Sequence, residues 1–276
     1  MDASLKQRVL TAAIGLPVIV LLLFCPVPIV IFMVMAAALI GMYEFYGAVG
    51  LLPNKPLCVM GYLGTLVIPL GIYLPLDTVL AIIYIYVLVL FVMLLAMHRQ
   101  LHFSQLAMLL VGLLYIPYFL SHIIYIRNLE FGNIYIWLVF LGAFMTDSCA
   151  YFTGKAIGGR KLCPTISPKK TVSGAIGGVI GCGLSFILFG VIVNVFFSRY
   201  LNGNQLSLWL LFVLGLVSAV ISEIGDLVAS MIKRQYNIKD FGTLLPGHGG
   251  ILDRCDSIIL VAPTIFLFLI QFGILR

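Results

Sequence analysis

Apolar runs of near-bilayer length recur along this chain from residue 9 to residue 275, separated by short polar or Pro-marked links. A membrane-crossing helix needs about 20 predominantly apolar residues. The pattern predicts nine such spans, at 9–25, 28–47, 57–74, 77–97, 105–125, 133–153, 172–197, 206–229 and 257–275. The links among the first five are short and carry Pro26, Pro28, Pro53, Pro56 and Pro75. The expected fold class is therefore all-α, a polytopic integral membrane protein. No low-complexity linker or repeat divides it, so residues 1–276 are expected to form a single membrane domain. Residues 1–132 are mainly scaffold helices in this picture, and residues 133–276 hold the chemistry. Lys6 and Arg8 before the first apolar run have the look of a signal peptide. A retained first helix is preferred, because no A-x-A-like cleavage site follows and a second span begins at once. Phe24 likewise makes Leu22–Cys25 a poor lipobox.

Composition excludes a soluble domain: 62% of the residues are hydrophobic, 9% are charged, and the mean hydropathy is +1.17. The net charge of +6 is informative by side. With the amino terminus inside, thirteen of the sixteen Lys and Arg fall in inside segments, and only Arg127, Arg199 and Arg276 lie outside. That asymmetry orients the chain in a cell (plasma) membrane with its polar carboxyl-terminal stretch facing the cytoplasm. The six cysteines are dispersed without a C-x-x-C pair, so they are expected to pack as small apolar residues, forming neither a zinc site nor a disulfide framework. Nothing in the pattern calls for a nucleic-acid partner.

Polar residues in the first half are few. Glu44 sits near a helix end and is expected to snorkel toward water, lining a cavity being the alternative. His98, His102 and His122 are expected to be interfacial residues without a ligand role. The second half differs. Asp147 lies within an apolar helix. Gly174, Gly178 and Cys182, with Gly177 and Gly181 beside them, make a small-residue stripe read as helix packing. Glu223, Asp226, Ser230 and Lys233 are spaced to share one helix face, and Asp253 and Asp256 repeat the i,i+3 spacing before the last span. Pairing Asp226 with Asp253 and Asp256 would build an oxygen-rich cage for one or two Mg²⁺ ions. An ion-pair network with Lys233, Arg234 and Arg254 is the competing account.

Two further elements could meet an anion. Gly247, Gly249 and Gly250 around His248 allow backbone conformations closed to other residues, and their N–H groups could face a phosphate; a buried turn is the alternative. Lys155, Arg160, Lys161, Ser167, Lys169, Lys170 and Thr171 combine cations with hydroxyls, a set fit for a triphosphate or a lipid phosphate. An ordinary positive-inside loop is equally open. The Walker A spacing, the dinucleotide fingerprint, the nucleophile elbow and H-E-x-x-H are all missing. The residues thus lead to a cytoplasm-facing, metal-dependent phosphate site, and spacing does not name its substrate.

The stretch Ser230-x-Ile232-Lys233-Arg234-x4-Lys239-Asp240-x-Gly242-x2-Leu245-Pro246-x-His248-Gly249-Gly250-Ile251-x-Asp253-Arg254-x-Asp256 resembles the signature of the phosphatidate cytidylyltransferase (CDP-diacylglycerol synthase) family. Upstream, Asp147-x2-Ala150-Tyr151-x2-Gly154 and Lys161-Leu162-x-Pro164-x-Ile166-Ser167-Pro168-x-Lys170-Thr171-x-x-Gly174 resemble it too. Ser173 departs from the pattern where many members have Glu, and Cys255 replaces an aliphatic residue. The resemblance implies transfer of the cytidylyl group of CTP to phosphatidic acid, with Mg²⁺ as cofactor and the lipid bilayer as setting. It implies Asp226 and Asp253 as metal ligands, with Asp256 and Glu223 as further candidates. Lys233, Arg234 and Arg254 would neutralise phosphate charge, and His248 would orient or protonate a phosphate oxygen. Ser167, Lys170, Thr171, Ser230, Lys239, Gly249 and Gly250 would bind substrate. A homodimer is a further expectation. A CTP-dependent polyprenol or phytol kinase and a CDP-archaeol synthase are the neighbouring alternatives. A transporter using Glu223, Asp226 and Asp147 as an ion path fits less well, because these residues crowd one membrane face.

Overall fold

The computed structural model describes residues 25–244 and 249–275. The first predicted span (save Cys25), with Lys6 and Arg8 ahead of it, and His248 lie outside the described residues. Among the described residues, eight helical segments are long and apolar enough to cross a membrane, so the chain is an all-α polytopic membrane protein. They are α1 (Val27–Ala48), α2 (Lys55–Val67) continued by a 3₁₀ segment (Ile68–Tyr73), α3 (Leu76–Ala96), α4 (Phe103–Leu113) joined through a π turn (Leu114–Tyr118) to α5 (Phe119–Arg127), α6 (Gly132–Ile157), α7 (Val172–Phe196), α8 (Leu208–Gln235) and α9 (Leu252–Phe272). The first six segments follow predicted spans closely. The π turn sits at Pro117, which has no N–H to continue the α ladder.

Three features differ from expectation. Helix α8 runs on to Gln235, so Glu223, Asp226, Ser230 and Lys233 all lie on one continuous helix. Helix α9 starts at Leu252, which puts Asp253 and Asp256 in its first turns. Between α6 and α7 the polar loop folds as an antiparallel hairpin, β1 (Lys161–Cys163) and β2 (Ser167–Thr171), pairing Lys161 with Thr171 and Cys163 with Ser167. Strands this short carry too few residues for a period of two to be read from hydropathy.

The described chain forms two compact units. One comprises residues 25–124 with the described part of 240–253; the other comprises 125–239 and 254–275. In the first, α1 packs on α2 through Tyr46, whose ring meets Tyr62 edge-on with centroids 5.5 Å apart. A Cβ on Gly61 would collide with the Tyr46 hydroxyl, and one on Gly112 would lie 2.8 Å from Phe45. Glycine at these points is what lets the helices touch. Helix α3 buries only Leu90, as suits a helix turned to lipid. Two predictions for this unit are corrected. Glu44 does not reach water: it is 5% exposed. His122 is buried as well, its Nδ1 3.0 Å from the Tyr118 carbonyl oxygen.

In the second unit, α7 lies against α6 along the small-residue stripe. A Cβ on Gly177 would collide with Thr153 and one on Gly181 with Cys149, while one on Gly178 would sit 3.0 Å from the Thr146 carbonyl oxygen. The stripe is therefore taken up inside the chain, and it offers no support for a dimer. Helix α7 begins at a proper cap, with the Thr171 Oγ1 accepting the Gly174 N–H at 3.1 Å. The carboxyl end of the chain closes on the start of α8, the Ser207 N–H donating to the Ile274 carbonyl at 2.7 Å.

Candidate functional site

The second unit gathers its charges where α6, β2, α8 and the start of α9 meet. Lys170, on β2, holds Asp226, on α8, with Nζ and Oδ2 2.7 Å apart. Asp147 on α6 is within electrostatic reach of Lys170, Asp226 and Arg254. Asp256 on α9 lies within reach of Asp226, Lys233 and Asp147. Glu223, one turn before Asp226, lies within reach of Lys170, Asp147 and Asp226. Four carboxylates thus share a neighbourhood with Lys170, Lys233 and Arg254. In an apolar fold such a concentration is stable only with charges opposed or solvated. Asp147 sits well inside an apolar helix, and the charges within its reach are those of this cluster.

Backbone packing makes the meeting possible. A Cβ on Gly225 would stand 2.7 Å from the Asp256 carbonyl oxygen and 3.3 Å from the Ser257 Cα. Only a residue without a side chain lets α8 approach α9 this closely, and the approach brings Asp226 beside Asp256. Helix–helix contact is reinforced where the Ser257 hydroxyl donates to the Ser222 carbonyl at 3.4 Å. Gly225→Ala should therefore cost about 1–3 kcal/mol, the usual penalty for overpacking. It should also lower activity more than an Ala at an exposed α8 position such as Ile224, as thermal melts and turnover of the purified protein will report.

A cation-rich arm completes the site. The hairpin carries Lys161, Ser167, Lys169 and Lys170, and the end of α8 is tied to its turn by a weak bond from the Arg234 Nε to the Ile166 carbonyl at 3.4 Å. Ser167 is half-buried, Lys169 and Lys239 are exposed, and Ser230 is half-buried on α8. Thr171 is buried and spends its Oγ1 on the α7 cap. Ser173 is likewise engaged, its hydroxyl donating to the Gly158 carbonyl.

Asp253 is held differently. Its Oδ2 accepts the Phe241 N–H at 2.8 Å and the Gly250 N–H at 3.0 Å, and the residue is buried. The N–H of Gly250, expected to face a substrate anion, thus points to this carboxylate. Gly249 has φ +80°, the left-handed region that glycine alone adopts freely. Of the three carboxylates expected to form a cage, the structure brings Asp226 and Asp256 together, whereas Asp253 is taken up by the loop before α9.

Whether these groups suit a divalent cation can be judged from the donors. Glu223 is 8% exposed, and its Oε1 has no hydrogen-bond partner among the described residues. An orphaned buried carboxylate oxygen within reach of Asp226 and Asp147 is donor chemistry that fits a hard cation. Among the described residues no three His, Cys, Asp or Glu side chains stand close enough to share one ion; the Lys170 ammonium occupies Asp226 instead.

Two residues fall outside the site expected from the sequence. Asp147 enters the sequence reading only through a motif and as part of a disfavoured ion path, and Glu44 as a residue expected to snorkel; a charge in an apolar helix is the signal that points to both.

Comparison with known proteins agrees with this chemistry. The chain is similar to the phosphatidate cytidylyltransferase of Rickettsia bellii, 41% identical over 163 residues that cover 59% of this chain and 69% of that protein. It is similar to the phosphatidate cytidylyltransferase of Bacillus subtilis, 37% identical over 172 residues covering 62% of this chain and 61% of that one. The phosphatidate cytidylyltransferase of Staphylococcus haemolyticus is 44% identical over 140 residues, 51% and 50% of the two chains. The model of the cytidylyltransferase family matches residues 6–272. With that match running nearly end to end, over a site built of carboxylates and cations at the ends of membrane helices, the chain belongs to the cytidylyltransferase family.

Proposed function

We infer that this chain transfers the cytidylyl group of CTP to phosphatidic acid, giving CDP-diacylglycerol and diphosphate within a membrane. The observation that carries this is the charge cluster of Asp147, Lys170, Glu223, Asp226, Lys233, Arg254 and Asp256 in a chain of this family. A phosphatidate oxygen attacks the α-phosphorus of CTP; the new P–O bond forms as the bond to the β-phosphate oxygen breaks, and the electron pair leaves with diphosphate. Such a step asks the protein for positioning and charge neutralisation more than covalent work. Two polyanions must come together, so cations near them lower the barrier. Lys170, Lys233 and Arg254 supply positive charge on three different elements, and Arg234 and Lys239 extend it. Arg254 suits bidentate contact with a phosphate, Lys170 a point contact.

Asp226 and Asp256 would hold a divalent cation, Mg²⁺ by their oxygen chemistry, with Glu223 as a further donor. When bound, the cation would offset the developing charge on the phosphates. On binding, Lys170 would pass from Asp226 to a substrate phosphate. The excess of Lys and Arg on one side of the spans favours a site at the cytoplasmic face of the plasma membrane, where nucleotides are.

The deciding experiment uses purified protein, phosphatidate vesicles and CTP labelled in the cytidine. Label is expected in the lipid fraction, with release of diphosphate that depends on Mg²⁺ and stops with a chelator. Label recovered as free CDP would identify a CTP-dependent kinase instead.

A further inference from the structure

The geometry points to Glu44 as a positioning residue for this reaction: from α1, its carboxylate caps the amino terminus of α9 and fixes the turn that carries Asp253, Arg254 and Asp256. The inference rests on the function proposed above, and the contacts themselves are independent of it. Oε1 accepts the Ile251 N–H at 3.0 Å and Oε2 accepts the Leu252 N–H at 2.8 Å. Leu252 is the first residue of α9, so both donors belong to the set that no helix can satisfy from within. Their partner comes from more than two hundred residues away in sequence.

The setting makes the cap matter. A buried donor left unpaired costs about 1–3 kcal/mol, and an anion at the positive end of a helix adds electrostatic stabilisation. The surrounding backbone is shaped to the group, since a Cβ on Gly242 or on Gly250 would collide with the Glu44 carboxylate. Asp253 grips the same segment from the other side through the Gly250 N–H. The start of α9 is thus held between a carboxylate of α1 and one of its own. A small rotation there would swing Arg254 and Asp256, and a misplacement of about 1 Å can cost roughly 10²-fold in rate.

Glu44→Gln replaces one acceptor with an NH₂ group facing an N–H. Its kcat in the labelled-CTP assay is expected to fall roughly 10–100-fold, with KM for CTP and phosphatidate within about twofold of wild type. Amide exchange in lipid nanodiscs should quicken over residues 249–255 and nowhere else. Gly242→Ala leaves the carboxylate intact but crowds it, and should give the same pattern; it decides the matter should Glu44→Gln not fold. Unchanged exchange over 249–255, kcat above half of wild type, or loss of protection throughout the protein in both variants would each overturn the assignment. Wild-type protein that puts no cytidine into lipid would overturn the proposed reaction instead, while the exchange measurement would still judge the cap.

Discussion

Asp226→Asn should reduce turnover by roughly 10²–10³-fold, the scale on which removing one preorganised charge-stabilising group acts, with little change in thermal stability. The side chains of the Lys170–Asp226 pair are 23% and 27% exposed. Pairs of this partly solvated kind contribute little to folding, about 0–1 kcal/mol for fully exposed ones. A large loss of rate beside a small change in melting temperature would therefore be catalytic in origin. Asparagine keeps an oxygen for Lys170 and a similar volume, but lacks the negative charge a metal needs. Lys170→Gln is the informative companion. If Lys170 passes to a substrate phosphate, its loss raises KM for that substrate; if it serves only to neutralise Asp226, KM stays put. A variant Asp226→Asn that kept more than half of wild-type turnover would remove Asp226 from the mechanism. Wild-type turnover indifferent to a chelator would remove its role as a metal ligand.

The second large effect concerns Asp253, where two roles must be separated. Its Oδ2 accepts two backbone N–H groups. Asp253→Ala would leave both buried and unpaired, at about 1–3 kcal/mol each, and should lower the melting temperature markedly. Asp253→Asn can keep both bonds through its amide oxygen and removes only the charge. Turnover below a tenth of wild type is expected for Asp253→Asn with stability retained, measured by the labelled-CTP assay and a thermal melt side by side. Activity above half would confine Asp253 to holding the loop, leaving Asp226 and Asp256 as the acidic pair of the site.

Particular residues show where sequence is and is not enough. The stripe Glu223, Asp226, Ser230, Lys233 can be read at once, because spacing along a helix converts directly into a shared face. Spacing suggests the pairing of Asp226 with Asp256 but does not require it. Their proximity depends on Gly225 lying against the Asp256 backbone, a contact between helices that periodicity does not encode. Lys170 is legible as a cation in a basic loop, yet its partner is not, since the hairpin that delivers it to Asp226 is too short to leave a hydropathy signature. Thr171 has the makings of a phosphate-binding hydroxyl and is a helix cap. Gly250 has those of an anion-binding amide, and the anion is the protein's own Asp253.

Hydropathy alone determined that this chain lives in a membrane as a set of helices, and where six of the eight described ones begin and end to within a few residues. It could do so because lipid forces every backbone polar group to be satisfied within its own helix, which makes each span a local property of sequence. Which carboxylates meet, which cation answers them, and why Glu44 is buried were settled only by tertiary structure. Those are facts about contacts between segments as much as 208 residues apart, made possible by glycines whose value lies in what packs against them.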